Sequence, residues 1–141
     1  MKNNMTRIWF DGSSSPHKKN GAGWGVFVER LNGIEENFSG ALPNDYTNNQ
    51  AELVALIKAL LVAETCCDVN GELEKLIIFG DSRLVIDWYN TKLSFKSLKL
   101  LKILKLYGFF ENCLYQVEVK WIPRRENKAD FYAKMARGRL A

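Results

Sequence analysis

Apolar and polar positions along this chain alternate, cluster and recur in patterns that mark its elements. Residues 7–11 are aromatic and β-branched and predict a strand, and residues 13–21, with Pro16 and Asn20-Gly21, predict a turn or loop. A second strand is expected over 23–29, a tight turn at Leu31-Asn32-Gly33, and a third strand over 34–42. Three strands with short connections make an antiparallel meander. Thr47 precedes Gln50 at the spacing of a capping box, and Leu53, Ile57, Leu60 and Leu61 then recur at helical spacing to about residue 64. The continuous apolar run at 75–79 predicts a strand covered on both faces. Helices are expected over 82–89 and 94–110, an alternating strand over 115–122 stopped by Pro123, and a last helix over 127–137. The order βββαβααβα predicts an α/β fold with a five-stranded mixed sheet. After the helical crossover, the fourth strand must lie parallel to a partner.

Composition narrows the class. The 141 residues fit a single domain, 1–141, and 47% apolar with 26% charged residues is ordinary for a globular protein with its own core. A formal charge of +4 is compatible with a polyanionic partner. Cys66, Cys67 and Cys113 are odd in number and two are adjacent, which predicts a reducing compartment rather than a disulfide framework. No apolar signal core or membrane-length stretch is evident, so a cytoplasmic location is expected. The single histidine, His17, makes a zinc site a poor expectation. Nothing points to an obligate protein partner, and a monomer is expected.

Two predicted strands end alike, as Phe10-Asp11-Gly12-Ser13 and Phe79-Gly80-Asp81-Ser82. If those strands are parallel neighbours, ~4.8 Å apart, their aspartates share one crevice and repel each other unless a cation lies between them. A hard divalent ion such as Mg²⁺ suits carboxylate oxygens. Glu52, in the first turns of the helix leaving the meander, and Asp130, early in the last helix, could each add a carboxylate. Four carboxylates would hold two cations, and two cations ~3.5–4 Å apart can flank a phosphodiester. Taken singly, an Asp-Gly after a strand is usually a turn, and an acid early in a helix is favoured by the dipole. The combination carries the metal reading.

The combination Asp11-Gly12-Ser13, Thr47-Asn48-Asn49-Gln50-Ala51-Glu52, Gly80-Asp81-Ser82 and Asn127-Lys128-Ala129-Asp130 resembles the type 1 ribonuclease H family, in order, from about residue 5 to 137. The resemblance implies a ribonuclease H-like fold and endonucleolytic cleavage of the RNA strand of RNA–DNA hybrids with two Mg²⁺ ions, for which Mn²⁺ is a possible substitute. It implies a metal-binding, catalytic quartet of Asp11, Glu52, Asp81 and Asp130. Asn48 and Asn49 match asparagines that test 2′-hydroxyls in the minor groove, and Thr47 matches a phosphate-contacting threonine. Gly12, Ser13, Arg83, Arg124 and Arg125 complete the expected substrate contacts. A 2′-hydroxyl both donates and accepts, as do side-chain amides, so the amide pair suits RNA sensing.

The match has departures. The segment Trp121-Ile122-Pro123-Arg124-Arg125-Glu126-Asn127 holds no histidine where many members place one, and is similar to an archaeal and plant-like branch with a Pro-Arg segment there. Arg83 stands where many members carry glutamine, and Asn127 to Asp130 is one residue tighter than the family pattern. Lys96, Lys99, Lys102 and Lys105 recur opposite Leu100, Ile103, Leu104 and Tyr107, and a solvated lysine face is favoured there over a phosphate-tracking surface. Trp88, Trp121, Phe109 and Phe110 are expected in the core rather than as base-stacking platforms, and Cys66-Cys67 as a small apolar pair ending the first long helix. The alternatives are a hybrid- or RNA-binding module of the same fold with little turnover, or a related metal nuclease acting on DNA.

Overall fold

The computed structural model describes residues 5–15, 21–66, 75–91, 102–103 and 117–137. Its elements are β1 (Thr6–Ser14), β2 (Ala22–Glu29), β3 (Glu35–Leu42), α1 (Asn48–Glu64), β4 (Leu76–Gly80), α2 (Arg83–Thr91), β5 (Glu118–Trp121), a 3-10 turn (Arg124–Glu126) and α3 (Asp130–Ala136). The strands form one sheet in the order β3-β2-β1-β4-β5, with β1–β2 and β2–β3 antiparallel and β1–β4 and β4–β5 parallel. The expected mixed sheet, with β1 and β4 as parallel neighbours, is what forms.

Alternation sends successive β1 side chains to opposite faces. Ile8 and Phe10 join the main core with Val26, Val28, Ile78 and the α1 residues Leu53, Leu56, Ile57 and Leu60. Trp9 joins a second cluster with Phe27 and Ala129, packed by Phe79, Ile122 and Tyr132. Phe10 is fully buried, and its truncation to alanine should cost about 3–5 kcal/mol. The apolar stripe expected on α1 is wider than its sequence period implies. Val54, Ala55 and Ala59 are buried as well, whereas Leu61 is 45% exposed.

β1 is longer than the run at 7–11. Ser13 and Ser14, expected in a loop, stay in the strand because β2 pairs along its whole length, to Ser14↔Ala22. The parallel β4 pairing ends at Trp9↔Phe79. Asp11 therefore lies inside a strand, two residues beyond the point where one neighbour stops, and a crevice opens beside it. The last helix begins at Asp130 rather than 127, because residues 124–126 close a 3-10 turn and the Asn127 side chain accepts from the Ala129 N–H at 3.0 Å. β5 is assigned to Glu118–Trp121, and the earlier part of its expected span lies outside the described residues. Of the helix expected over 94–110, only residues 102–103 are described. Both are helical, with Lys102 exposed and Ile103 buried. The other lysines and apolar residues of that pattern, Phe109, Phe110, His17, Cys67 and Cys113 lie outside the described residues. Cys66 is buried after the last turn of α1, as expected of a small apolar residue.

Candidate metal centre and its cleft

Each acid reaches the crevice by a different element. Asp11 comes from β1, beyond its last pair with β4. Asp81 directly follows β4. Glu52 comes from the second turn of α1, whose start is held by the predicted capping box: Thr47 Oγ1 accepts from Gln50 N–H at 3.2 Å and Gln50 Oε1 from Thr47 N–H at 2.7 Å. Gly12 lets that helix approach. A Cβ there would lie 2.2 Å from both the Ala51 carbonyl carbon and the Glu52 nitrogen. On the opposite face, a Cβ on Gly25 would lie 2.6 Å from the Ala133 nitrogen, so α3 settles directly on β2.

The result is a tight acidic cluster. Carboxylate oxygens of Asp11, Glu52 and Asp81 all lie within 4.8 Å of one another, with Asp11 and Glu52 buried and Asp81 half-buried. Burial, with a smaller contribution from the Asp81 charge, lifts the Asp11 carboxyl to about 7 even though a hydrogen bond with Glu52 works the other way. Burial and then the neighbouring Asp11 hold Glu52 well above the ordinary range, and the Gly12 N–H only partly offsets this. Asp81 is raised too, chiefly by burial, against the pull of the Asn127 amide and the Arg124 charge.

Asp130 behaves differently. Burial raises its carboxyl, but hydrogen bonds with Lys134 and Asp11 and the charges of Lys134 and Arg124 outweigh it, leaving the group below its usual value. Lys134 Nζ lies 3.0 Å and Arg124 Nε 3.7 Å from its oxygens. Asp130 is not one of the three carboxylates that lie within 4.8 Å of one another and does not line the cleft, although it is near enough for its charge to raise the Asp11 carboxyl.

Repulsion among buried carboxyls, and a Glu52 Oε2 that is buried with no hydrogen-bond partner among the described residues, fit a hard divalent cation with oxygen ligands. Among the described residues this cluster offers only oxygen donors, not the imidazole and thiolate ligands usual for zinc.

Of the other residues singled out in the sequence, Gly12, Ser13, Asn48, Asn49 and Arg124 line the same cleft. Asn48 Oδ1 accepts from the Ser14 N–H at 2.9 Å, which pins the start of α1 to the end of β1. Thr47 is occupied in the cap, and Arg125 is exposed on the 3-10 turn; neither lines the cleft. Arg83 is also absent from the lining: its guanidinium lies 4.0 Å from the centre of the Trp121 ring. Trp121 is not the core residue expected. It is 39% exposed and its indole N–H donates to the Asp81 carbonyl at 3.2 Å, whereas Trp88 does pack against the core.

Three lining residues were not foreseen: Ser14, Ser82 and Arg137. Neither was the role of Asn127. Its buried amide donates to the Phe10 carbonyl at 2.9 Å and to Asp81 Oδ2 at 3.3 Å, tying together β1, the end of β4 and the entry to α3. An asparagine just ahead of a helix is visible in sequence, but it signals a turn or cap, not a long-range partner.

The ribonuclease H family model matches residues 3–134. The chain is 26% identical over 123 residues to a ribonuclease H of Methylobacillus flagellatus, covering 86% of this chain and 80% of that protein. Among solved structures it is similar to LC11-RNase H1, isolated from compost by a metagenomic approach. That likeness has a TM-score of 0.73 and 25% identity over 95% of this chain and 96% of the other. RNase H1 from the halophilic archaeon Halobacterium salinarum is similar at a TM-score of 0.71 and 25% identity, over 93% of this chain and 96% of the other.

Proposed function

The chain belongs to the ribonuclease H family, and on that premise we propose that it is an endonuclease hydrolysing the RNA strand of RNA–DNA hybrids with two divalent cations, physiologically Mg²⁺, to leave 5′-phosphate ends. The observation that carries the reading is the convergence of Asp11, Glu52 and Asp81, from three elements, into one buried and uncompensated carboxylate cluster. Bound cations would supply charge stabilisation at the scissile phosphate and a nucleophile at neutral pH.

In this reading the chain's own groups divide the work. Asp11, Glu52, Asp81 and Asp130 hold the cations. Asn127 keeps Asp81 aimed at the crevice through its amide N–H. Asn48 has its oxygen engaged by Ser14, so its NH₂ group remains to donate to a 2′-hydroxyl oxygen or base edge, with Asn49 beside it. Thr47 Oγ1 accepts in the cap and can still donate its O–H to a phosphate. Gly12, Ser13 and Arg124 line the cleft, and Arg125 and Arg83, which lie outside that lining, would add positive charge on the surrounding surface.

The deciding experiment is cleavage of an end-labelled RNA–DNA hybrid in Mg²⁺, beside all-DNA and all-RNA duplexes, by the wild type and by Asp81→Asn. Hybrid-selective cutting that falls by several orders of magnitude in the variant, with the fold intact by circular dichroism, is expected. Near-normal cutting by Asp81→Asn would sink the metal assignment. Equal cutting of the DNA duplex would turn the reading toward a DNA nuclease.

A further inference from the structure

Arg137 terminates α3 and lines the cleft, yet none of the family motifs includes it. Its position is set by the sheet beneath it. A Cβ on Gly23 would lie 3.0 Å from the Arg137 nitrogen, and Gly23 pairs with Ser13. The end of α3 therefore sits over Gly23 of β2, one strand to the side of Ser13, which lies two residues beyond Asp11 on β1. At ~3.4 Å per residue that is ~7 Å along the strand, about one nucleotide step from the carboxylates.

The cleft's two arginines are not equivalent. Arg124 lies 3.7 Å from Asp130 and is already partly spent on that carboxylate. Arg137 makes no ion pair among the described residues, and its Nε is buried without a hydrogen-bond partner there. A buried guanidinium N–H with no acceptor is costly unless a ligand supplies one. A phosphate does so bidentately, and Arg137 can take it without breaking an existing ion pair.

Resting on the ribonuclease H reading of the site, we infer that Arg137 binds the phosphate of the cleaved strand that adjoins the scissile one. It anchors the strand at the Ser13–Asn48 end of the cleft, opposite the position where Arg124 meets Asp130. It is a substrate-binding residue rather than a ligand to the cations.

The test measures equilibrium binding of a hybrid in EDTA, across a salt series, for the wild type, Arg137→Ala and Arg137→Lys, together with Mg²⁺-dependent cleavage. Arg137→Ala should lower the magnitude of the salt slope by about one contact and cut kcat/KM about tenfold, while Arg137→Lys keeps the slope. A second measurement has an arm that needs only the wild type and a control arm that uses the variant. A hybrid carrying a neutral methylphosphonate at the adjoining position should bind the wild type more weakly, and Arg137→Ala should not distinguish it from the normal hybrid. An unchanged salt slope in Arg137→Ala, or a wild type indifferent to that methylphosphonate, overturns the assignment. A wild type that binds hybrid with the Arg137-dependent slope but never cuts it overturns the proposed activity and leaves the phosphate contact standing.

Discussion

Asn127 shows most clearly what a single side chain contributes. One amide satisfies the Phe10 carbonyl, orients Asp81 and, through its oxygen, starts the last helix. Asn127→Ala leaves a buried carbonyl without its donor, a loss of about 1–3 kcal/mol. It should also release Asp81, so hybrid cleavage falls further than that loss of stability explains. Equal activity at a temperature where both proteins are folded would show that Asn127 is structural only. The three clustered acids, Asp11, Glu52 and Asp81, were legible in the sequence because motif spacing marks them. Those holding them in place were not, because Asn127 spans from the start of the last helix to β1, and no local pattern encodes that reach. Arg137 was missed for a related reason. One arginine in a basic tail carries no periodic signal, and its place depends on Gly23 beneath it. Trp121 was misplaced because an aromatic residue in an alternating strand has the same signature whether core or ring-stacked arginine covers it.

At the scale of elements, the local chemistry of the α1 start was fully readable. The capping box is a four-residue device, and it formed as its spacing predicted. Thr47→Ala should cost about 1 kcal/mol through the cap. Thr47→Ser, which keeps the hydroxyl, should restore both stability and any phosphate contact. A serine variant that is stable but slow would expose a need for the threonine methyl. The extent of β1 was less legible. Gly12-Ser13-Ser14 has turn composition, but continuous pairing with β2 overrides it, as tertiary context commonly does for strands. The close approach at Gly12 makes a sharp prediction. Gly12→Ala must push the backbone of Ala51 and Glu52 away, with strain of about 1–3 kcal/mol or more, and should shift Glu52 out of the cluster. Loss of metal-induced stabilisation in that variant, read by calorimetry, would confirm the link. An unaltered response would show that α1 can back away without moving its glutamate.

For the whole molecule, the carboxylate cluster couples stability to pH and to cations. Asp11, Glu52 and Asp81 hold their protons more tightly in the fold than in the unfolded chain. From the ordinary carboxylate range up to about pH 7, the range set by Asp11, the folded form binds more protons, so this part of the stability falls as pH rises. Asp130 has the opposite sign. Its contribution is present above the ordinary carboxylate value and is lost as pH falls through its lower folded value. Glu52→Gln replaces a group that the fold holds protonated, but that ionises in the unfolded chain, with one that does not titrate. In the absence of metal, its gain in Tm over the wild type should be small at pH 5 and larger at pH 7.5, and saturating Mg²⁺ should abolish or reverse it by binding only the wild-type cluster. A gain that is the same at both pH values would mean that Glu52 is not protonated in the metal-free fold.

The parallel pairing of β1 with β4 also orders events in time. Ile8 meets Ile78 across about half the length of the chain, whereas β1, β2 and β3 pair with their sequence neighbours. Contacts of long sequence separation must close a large loop before they are rewarded, so the meander can assemble first and the β1–β4 seam afterwards. Asp11 and Asp81 lie just past that seam, on its two strands. This order predicts that the acidic cluster is completed late, after the rate-limiting step, so that its repulsion does not impede nucleation. Mg²⁺ should then slow unfolding in a denaturant series while leaving the refolding rate nearly unchanged. Faster refolding in Mg²⁺ would instead place the seam, and the cation, inside the folding nucleus.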